Sequence, residues 1–170
     1  MSSGRGEILD VLAKAFQIEV DGYTFYSMVA ARSDRPAVQE IFTKLAHDEV
    51  EHKVYLLDIS RKDNEEGSAA FAVARKSPDM AAFSQKVFTD AFREQALGAT
   101  FEASSLSIGM TLESNAMAHF TRAAQLATDN EVRDFYRFLA AWETDHLNTL
   151  KNLHDLVRAD FFEKAGFEPF

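Results

Sequence analysis

The chain has 170 residues, enough for one domain with a proper core, and its 46% hydrophobic and 26% charged content is ordinary for a globular protein. A formal charge of −9 leaves no basic patch for phosphates and argues against nucleic acid, while the absence of cysteine rules out disulfides, thiolate metal sites and iron–sulfur centres. Any metal must sit on oxygen and nitrogen. Residues 1–6 carry one Arg with no apolar run after it and do not read as a signal peptide, and no run of 18 apolar residues is present to span a membrane, so a cytoplasmic protein is expected.

Apolar residues recur at helical spacing from Glu7 onward (Ile8, Leu12, Ala15, Phe16, Tyr23, Tyr26, Val29), which predicts one long helix over about 6–32. Ser33-Asp34-Arg35-Pro36 reads as a stop and restart, with Asp34 as N-cap and Pro36 in the first turn. A second helix follows over about 35–62, closing hairpin one (about 6–62) near Gly67. The crossover, about 63–99, begins loop-like with Gly67, Ser68 and a run of Ala, and Ser77-Pro78-Asp79 then opens a short amphipathic helix marked by Phe83, Val87, Ala91 and Phe92. Hairpin two (about 100–160) pairs a helix over about 100–127 with one over about 131–159, turning at Asp129-Asn130. The tail, 161–170, has four Phe and is expected to dock on the bundle or on another subunit. Nothing reads as strand. The expectation is an all-α, ferritin-like four-helix bundle made of two hairpins and a long crossover, in a single domain over 1–170.

The two hairpins are copies. Glu49-Val50-Glu51-His52 returns 94 residues later as Glu143-Thr144-Asp145-His146, and the same shift carries Glu19 to Glu113, Ala30 to Ala124, Val38 to Val132, Leu45-Ala46 to Leu139-Ala140 and Leu56 to Leu150. Packing accounts for the apolar matches but not for the acidic and imidazole ones. Glu19 and Glu49 each stand 15 positions from Asp34, so an antiparallel hairpin turning there puts both at one height, roughly 22 Å from the loop at 1.5 Å per residue. Glu113 and Glu143 repeat this about Thr128, and His52 and His146 lie at i+3 from their Glu, on its face. Four carboxylates converging among leucines cannot all stay ionised unaided, and two divalent cations would balance them. Carboxylate and imidazole ligands without sulfur suit iron, manganese or zinc.

With these residues the chain resembles the ferritin-like superfamily, in particular the rubrerythrin and bacterioferritin branch of di-iron carboxylate proteins. The resemblance covers both hairpins and leaves the crossover and tail aside. It implies that two irons would be bridged by Glu49 and Glu143, with Glu19 and Glu113 as terminal ligands and His52 and His146 each on one metal. Two departures stand out. Rubrerythrins proper carry a further carboxylate one turn after the third-helix Glu, where this chain has Ala116, and their rubredoxin-type iron centre needs four Cys, of which this chain has none. Electrons would have to come from an external donor or from ferrous iron itself.

Around the six, Asp48 is placed to accept the free N–H of His146 from behind. Tyr23, one turn after Glu19, is placed to hydrogen-bond a ligand carboxylate and supply an oxidisable ring; an ordinary core tyrosine is the alternative. Gly22 and Ala116 either leave room for the oxidant or are small packing residues. Glu51 and Asp145 point off the face, Glu102 has Ile8 as its repeat counterpart, and His47, His119 and His154 have no repeat partner; all are set aside. The leading functional expectation is a di-iron oxidoreductase that oxidises ferrous iron with hydrogen peroxide or dioxygen. The alternatives are an iron storage or transfer ferroxidase and a non-catalytic zinc-binding bundle. A homodimer or larger assembly is expected.

Overall fold

The computed structural model describes residues 3–67, 69–74 and 100–165. Over these the chain is helical apart from short turns, with five helices: α1 (Ser3–Arg32), α2 (Pro36–Glu66), α3 (Ala69–Ala74), α4 (Thr100–Leu126) and α5 (Asn130–Ala165). No strand occurs among the described residues, and no helix there is long and apolar enough to cross a membrane. The architecture is a ferritin-like bundle. The expected short helix near 77–97 and the end of the tail, 166–170, lie outside the described residues; residues 161–165 continue α5.

Pairs α1–α2 and α4–α5 pack along their lengths as the two hairpins. Their mutual orientation follows from contacts at both ends. The guanidinium of Arg32, at the end of α1, sits 5.5 Å from the ring centre of Phe101, at the start of α4. At the other end His119 Nε2 lies 3.1 Å from the Val11 carbonyl oxygen. Thus α1 and α4 are antiparallel, and the internal twofold stands across the bundle axis. It also follows that α2 ends at the opposite end of the bundle from where α4 begins.

The first turn corrects the expected capping. Asp34 does not cap α2: Arg35 holds the N-cap position with extended backbone and no side-chain cap, and Pro36 supplies the first turn. Ser33, buried, takes over the polar work of the corner, since its Oγ accepts from the Arg35 N–H (3.3 Å) and donates to Glu102 (3.2 Å). Arg35 reaches the same carboxylate at 3.7 Å, and Gln39 donates to the Ser33 carbonyl at 2.6 Å. Glu102, buried without a repeat partner, is thus a brace between hairpins. In the second turn the conventional device appears, with Asp129 Oδ1 accepting from the N–H groups of Glu131 (2.8 Å) and Val132 (3.2 Å).

At its far end α2 stops at Gly67, whose φ of 65° is a left-handed conformation open to glycine and whose N–H closes on the Asp63 carbonyl at 3.1 Å. The run after it, read from sequence as loop, is instead the short helix α3. Alanines favour helix, and Phe71, fully buried, gives the turn an anchor 5.1 Å from the Phe135 ring.

The core falls into two apolar clusters. One is built around Tyr26, Phe42, Leu45, Leu106 and Leu150, the other around Leu12, Leu56, Phe71, Phe120, Phe135 and Leu139. At about 1.5–3 kcal/mol for each fully buried aliphatic or aromatic side chain, these clusters carry the fold. Between them lies a polar layer.

Candidate metal centre

That layer is Glu19, Glu49, His52, Glu113, Glu143 and His146, each only 1–3% exposed. Each long helix contributes one Glu at the same height, and the two His come from the helices that close each hairpin, one turn past their Glu. These six residues lie on the same stripe as the core because their spacing from Leu45, Leu56, Leu139 and Leu150 is helical, so burying the leucines buries them.

His52 Nδ1 stands 3.1 Å from Glu19 Oε2, 3.4 Å from Glu49 Oε2 and 4.0 Å from Glu143 Oε1. His146 Nδ1 stands 3.8 Å from Glu113 Oε1. The imidazoles face each other at 5.0 Å, nearly parallel. Three buried triads have ligand atoms all within 4.8 Å of one another: Glu19–Glu49–His52, Glu49–Glu113–His146 and His52–Glu143–His146. Glu49 belongs to a triad with each histidine, and Glu143 stands between both. A fourth group, His47, Asp48 and Glu51, is largely exposed, as surface acids commonly are.

Burial and mutual repulsion set the charges. Glu49 is pushed well above the usual carboxylate range by burial, by its hydrogen bond to Glu19 and by Glu113. Glu143 is likewise raised, by burial and then by the charge of Glu19. Burial opposes ionisation of Glu19 too, but hydrogen bonds from Glu49 and His52 outweigh it and hold this carboxyl below its usual value. For His52 burial acts to lower the value, yet the hydrogen bond and charge of Glu19 prevail and carry it up to about 9. Without metal, therefore, burial favours the protonated forms of Glu49 and Glu143, and the neighbouring Glu19 favours that of His52. Meanwhile Glu49 Oε2 and Glu143 Oε1 are buried with no hydrogen-bond partner. Buried acceptors left unmatched, on the two carboxylates shared between the histidines, fit a pair of cations.

The neighbours differ from expectation in one respect. Tyr23 does not face the centre: it is 41% exposed, with Lys53 Nζ 4.2 Å from its ring centre. The residue at the centre is Tyr26, fully buried, whose hydroxyl donates to Glu113 Oε1 at 2.5 Å and whose own ionisation is strongly opposed by burial and by Glu113. The helical wheel explains the exchange, because i+4 from Glu19 turns about 40° off its face whereas i+7 returns to within about 20°. Asp48 is buried, with Oδ2 3.8 Å from His146 Nε2 and Lys44 bonded to it at 3.1 Å. Gly22 encloses no open space: a Cβ there would meet Glu49 Oε1 at 3.0 Å, so the missing side chain lets Glu49 lie against α1. Ala116 is buried. Trp142, which the repeat marks only as the counterpart of Asp48, stacks on His52 at 4.1 Å.

Fold and site define a class: a ferritin-like helical bundle whose centre is a buried carboxylate–histidine layer able to hold metal. The family model for Rubrerythrin matches residues 10–154, and the chain belongs to the rubrerythrin family. No curated protein and no solved structure gave a match. These 170 residues, having no cysteine, contain no rubredoxin-type iron centre, which takes four cysteine thiolates.

Proposed function

We propose that the protein is a di-iron carboxylate oxidoreductase that oxidises ferrous iron at the expense of hydrogen peroxide or dioxygen. The observation that carries this reading is the twofold set of six buried Glu and His side chains, in which Glu49 and Glu143 each stand close enough to both histidines to share a metal with them. When bound, two ferrous ions supply two electrons at one place, enough with two protons to reduce hydrogen peroxide to water. Glu19, Glu49, Glu113 and Glu143 would hold the two irons, with Glu49 and Glu143 the carboxylates placed near both histidines, and His52 and His146 would each offer one nitrogen. Tyr26 orients Glu113 through its hydroxyl. Metal held by Glu49 and Glu143 would displace the protons that burial favours on these carboxyls. Apolar clusters flank the layer on either side. An external electron donor would return the centre to its reduced state.

The test is reconstitution of metal-free protein with ferrous iron under anaerobic conditions, followed by hydrogen peroxide or air. Two irons per chain and stoichiometric consumption of oxidant are expected, both lost in Glu143→Ala. A protein that retains zinc and neither binds nor oxidises iron would refute the reading.

A further inference from the structure

The six ligands obey the internal twofold, but their surroundings do not. The 94-residue shift that superposes the ligands carries Asp48 onto Trp142, Lys44 onto Phe138 and Tyr55 onto Thr149. One histidine is therefore backed by charge and the other by aromatic rings.

Behind His146 stands Asp48, buried, with Oδ2 3.8 Å from Nε2, an ion-pair separation longer than a hydrogen bond that brings the carboxylate to the ring nitrogen turned away from Glu113. Lys44 Nζ donates to both Asp48 oxygens, at 3.1 and 3.3 Å, and fixes the carboxylate in place. Behind His52 stands the Trp142 indole, stacked at 4.1 Å and 29°. Tyr55 and Phe138 pack on that indole at 5.2 and 5.6 Å, completing an aromatic wall.

A histidine that ligates through one nitrogen carries its proton on the other. A carboxylate facing that N–H fixes the tautomer, aligns the ring and makes the ligating nitrogen a better donor, and loss of such a partner costs typically 10–100-fold in metal affinity. Aspartate can accept the proton. An indole cannot, since its one polar atom is itself a donor.

We propose that the two metal positions are inequivalent: the position at His146 and Glu113 binds first and more tightly, with Asp48 as the residue that positions His146, and the position at His52 and Glu19 fills second and exchanges faster. The inference deepens the dimetal reading above and rests on it. It assigns different duties to two sites built from the same ligands, a retained ion on one side and an exchangeable one on the other.

Zinc titrated into metal-free wild-type protein, in competition with a chromophoric chelator, should bind in two steps separated by about tenfold or more. His52→Ala should keep the tight step and lose the weak one; His146→Ala should do the opposite. Asp48→Ala should weaken the tight step about 10–100-fold and leave the weak step in place. Asp48→Asn, which keeps the shape and a neutral acceptor, should fall between and guards against a folding defect, checked by the thermal melt of the metal-free variant. Two ions of equal affinity in the wild type, equal weakening of both steps by Asp48→Ala, or loss of the tight step in His52→Ala would each overturn the proposal. A wild type that takes up two zinc ions in two steps yet never oxidises iron sinks only the oxidoreductase reading. One that takes up no metal sinks both.

Discussion

The protonation of the polar layer makes the metal-free protein respond to pH in an unusual sense. His52 lies at about 9 in the folded chain against 6.5 when exposed, so its stabilisation is complete below pH 6.5 and is lost as pH rises through about 9. That shift corresponds to about 3 kcal/mol for a group almost wholly buried. Glu49 and Glu143, both raised, act with the same sign, because above the ordinary value of 4.5 the unfolded chain ionises while the folded one holds its protons. Glu19, lowered, has the opposite sign, but its effect falls below pH 4.5 and is constant above it. From about pH 6 to 9 the folded state thus binds more protons than the unfolded state, and stability should fall with pH by up to about 1.4 kcal/mol per unit for each excess proton. Bound metal replaces those protons, so the loaded protein should show a flat or rising profile over the same interval. Urea denaturation at three pH values, with excess chelator and with saturating metal, measures both curves. Glu143→Gln, which is neutral at every pH, should flatten the metal-free curve. Metal-free stability that rises with pH would refute the assigned protonation.

Glu49→Ala or Glu143→Ala should abolish binding of both metals, whereas Glu19→Ala or Glu113→Ala should lose mainly one; unchanged metal content in the first pair would overturn the sharing inferred for those carboxylates. Gly22→Ala should raise or maintain the metal-free melting point, since alanine favours a helix by about 0.5–1 kcal/mol over glycine, while lowering metal affinity because its Cβ displaces Glu49. A variant with both properties improved would show that Glu49 has room to spare. Ala116→Glu should raise peroxidase turnover with an external donor above a sluggish wild type, if the buried site can shift to admit the carboxylate; a wild type already turning over peroxide rapidly would make the added group unnecessary. Sedimentation at micromolar concentration should show at least a dimer, given Val50, Val54 and Leu57 exposed along one side of α2. A monomer would mean that this apolar stripe stays in water.

Long helices and the ligand layer are legible in the sequence because both obey simple periodicities. Glu-x-x-His twice at one offset, each with a Glu equally far before the turn, fixes height and face together, and the structure brings those six side chains into one buried layer. What surrounds the layer is harder to read. Tyr23 and Tyr26 both follow Glu19 at near-helical spacing, and only the accumulated angle over two turns separates a surface ring from a buried one. The corner before α2 defeats a local reading because Asp34 has the right chemistry for a cap, whereas the anchor that decides the geometry, Glu102, comes from 68 residues further along. For α3 the local signals, Gly67 and Ser68, point to loop, and a tertiary contact to Phe135 supplies the reason for a helix. Local pattern fixes what repeats; contacts between distant segments fix the exceptions.

The twofold across the bundle axis means that either hairpin already contains half of the buried layer: two carboxylates and one imidazole. Two copies of the α4–α5 hairpin meeting about that axis would reconstitute six ligands in the same layer, with Glu113, Glu143 and His146 each present twice. Such an assembly would be symmetric in its surroundings as well, because Trp142 would back both imidazoles and no Asp48 would be present. The single chain escapes that constraint. Joining the two halves through the crossover lets each side of the centre accept substitutions the other does not share, so two identical triads of buried Glu and His can gain different surroundings without losing their common geometry.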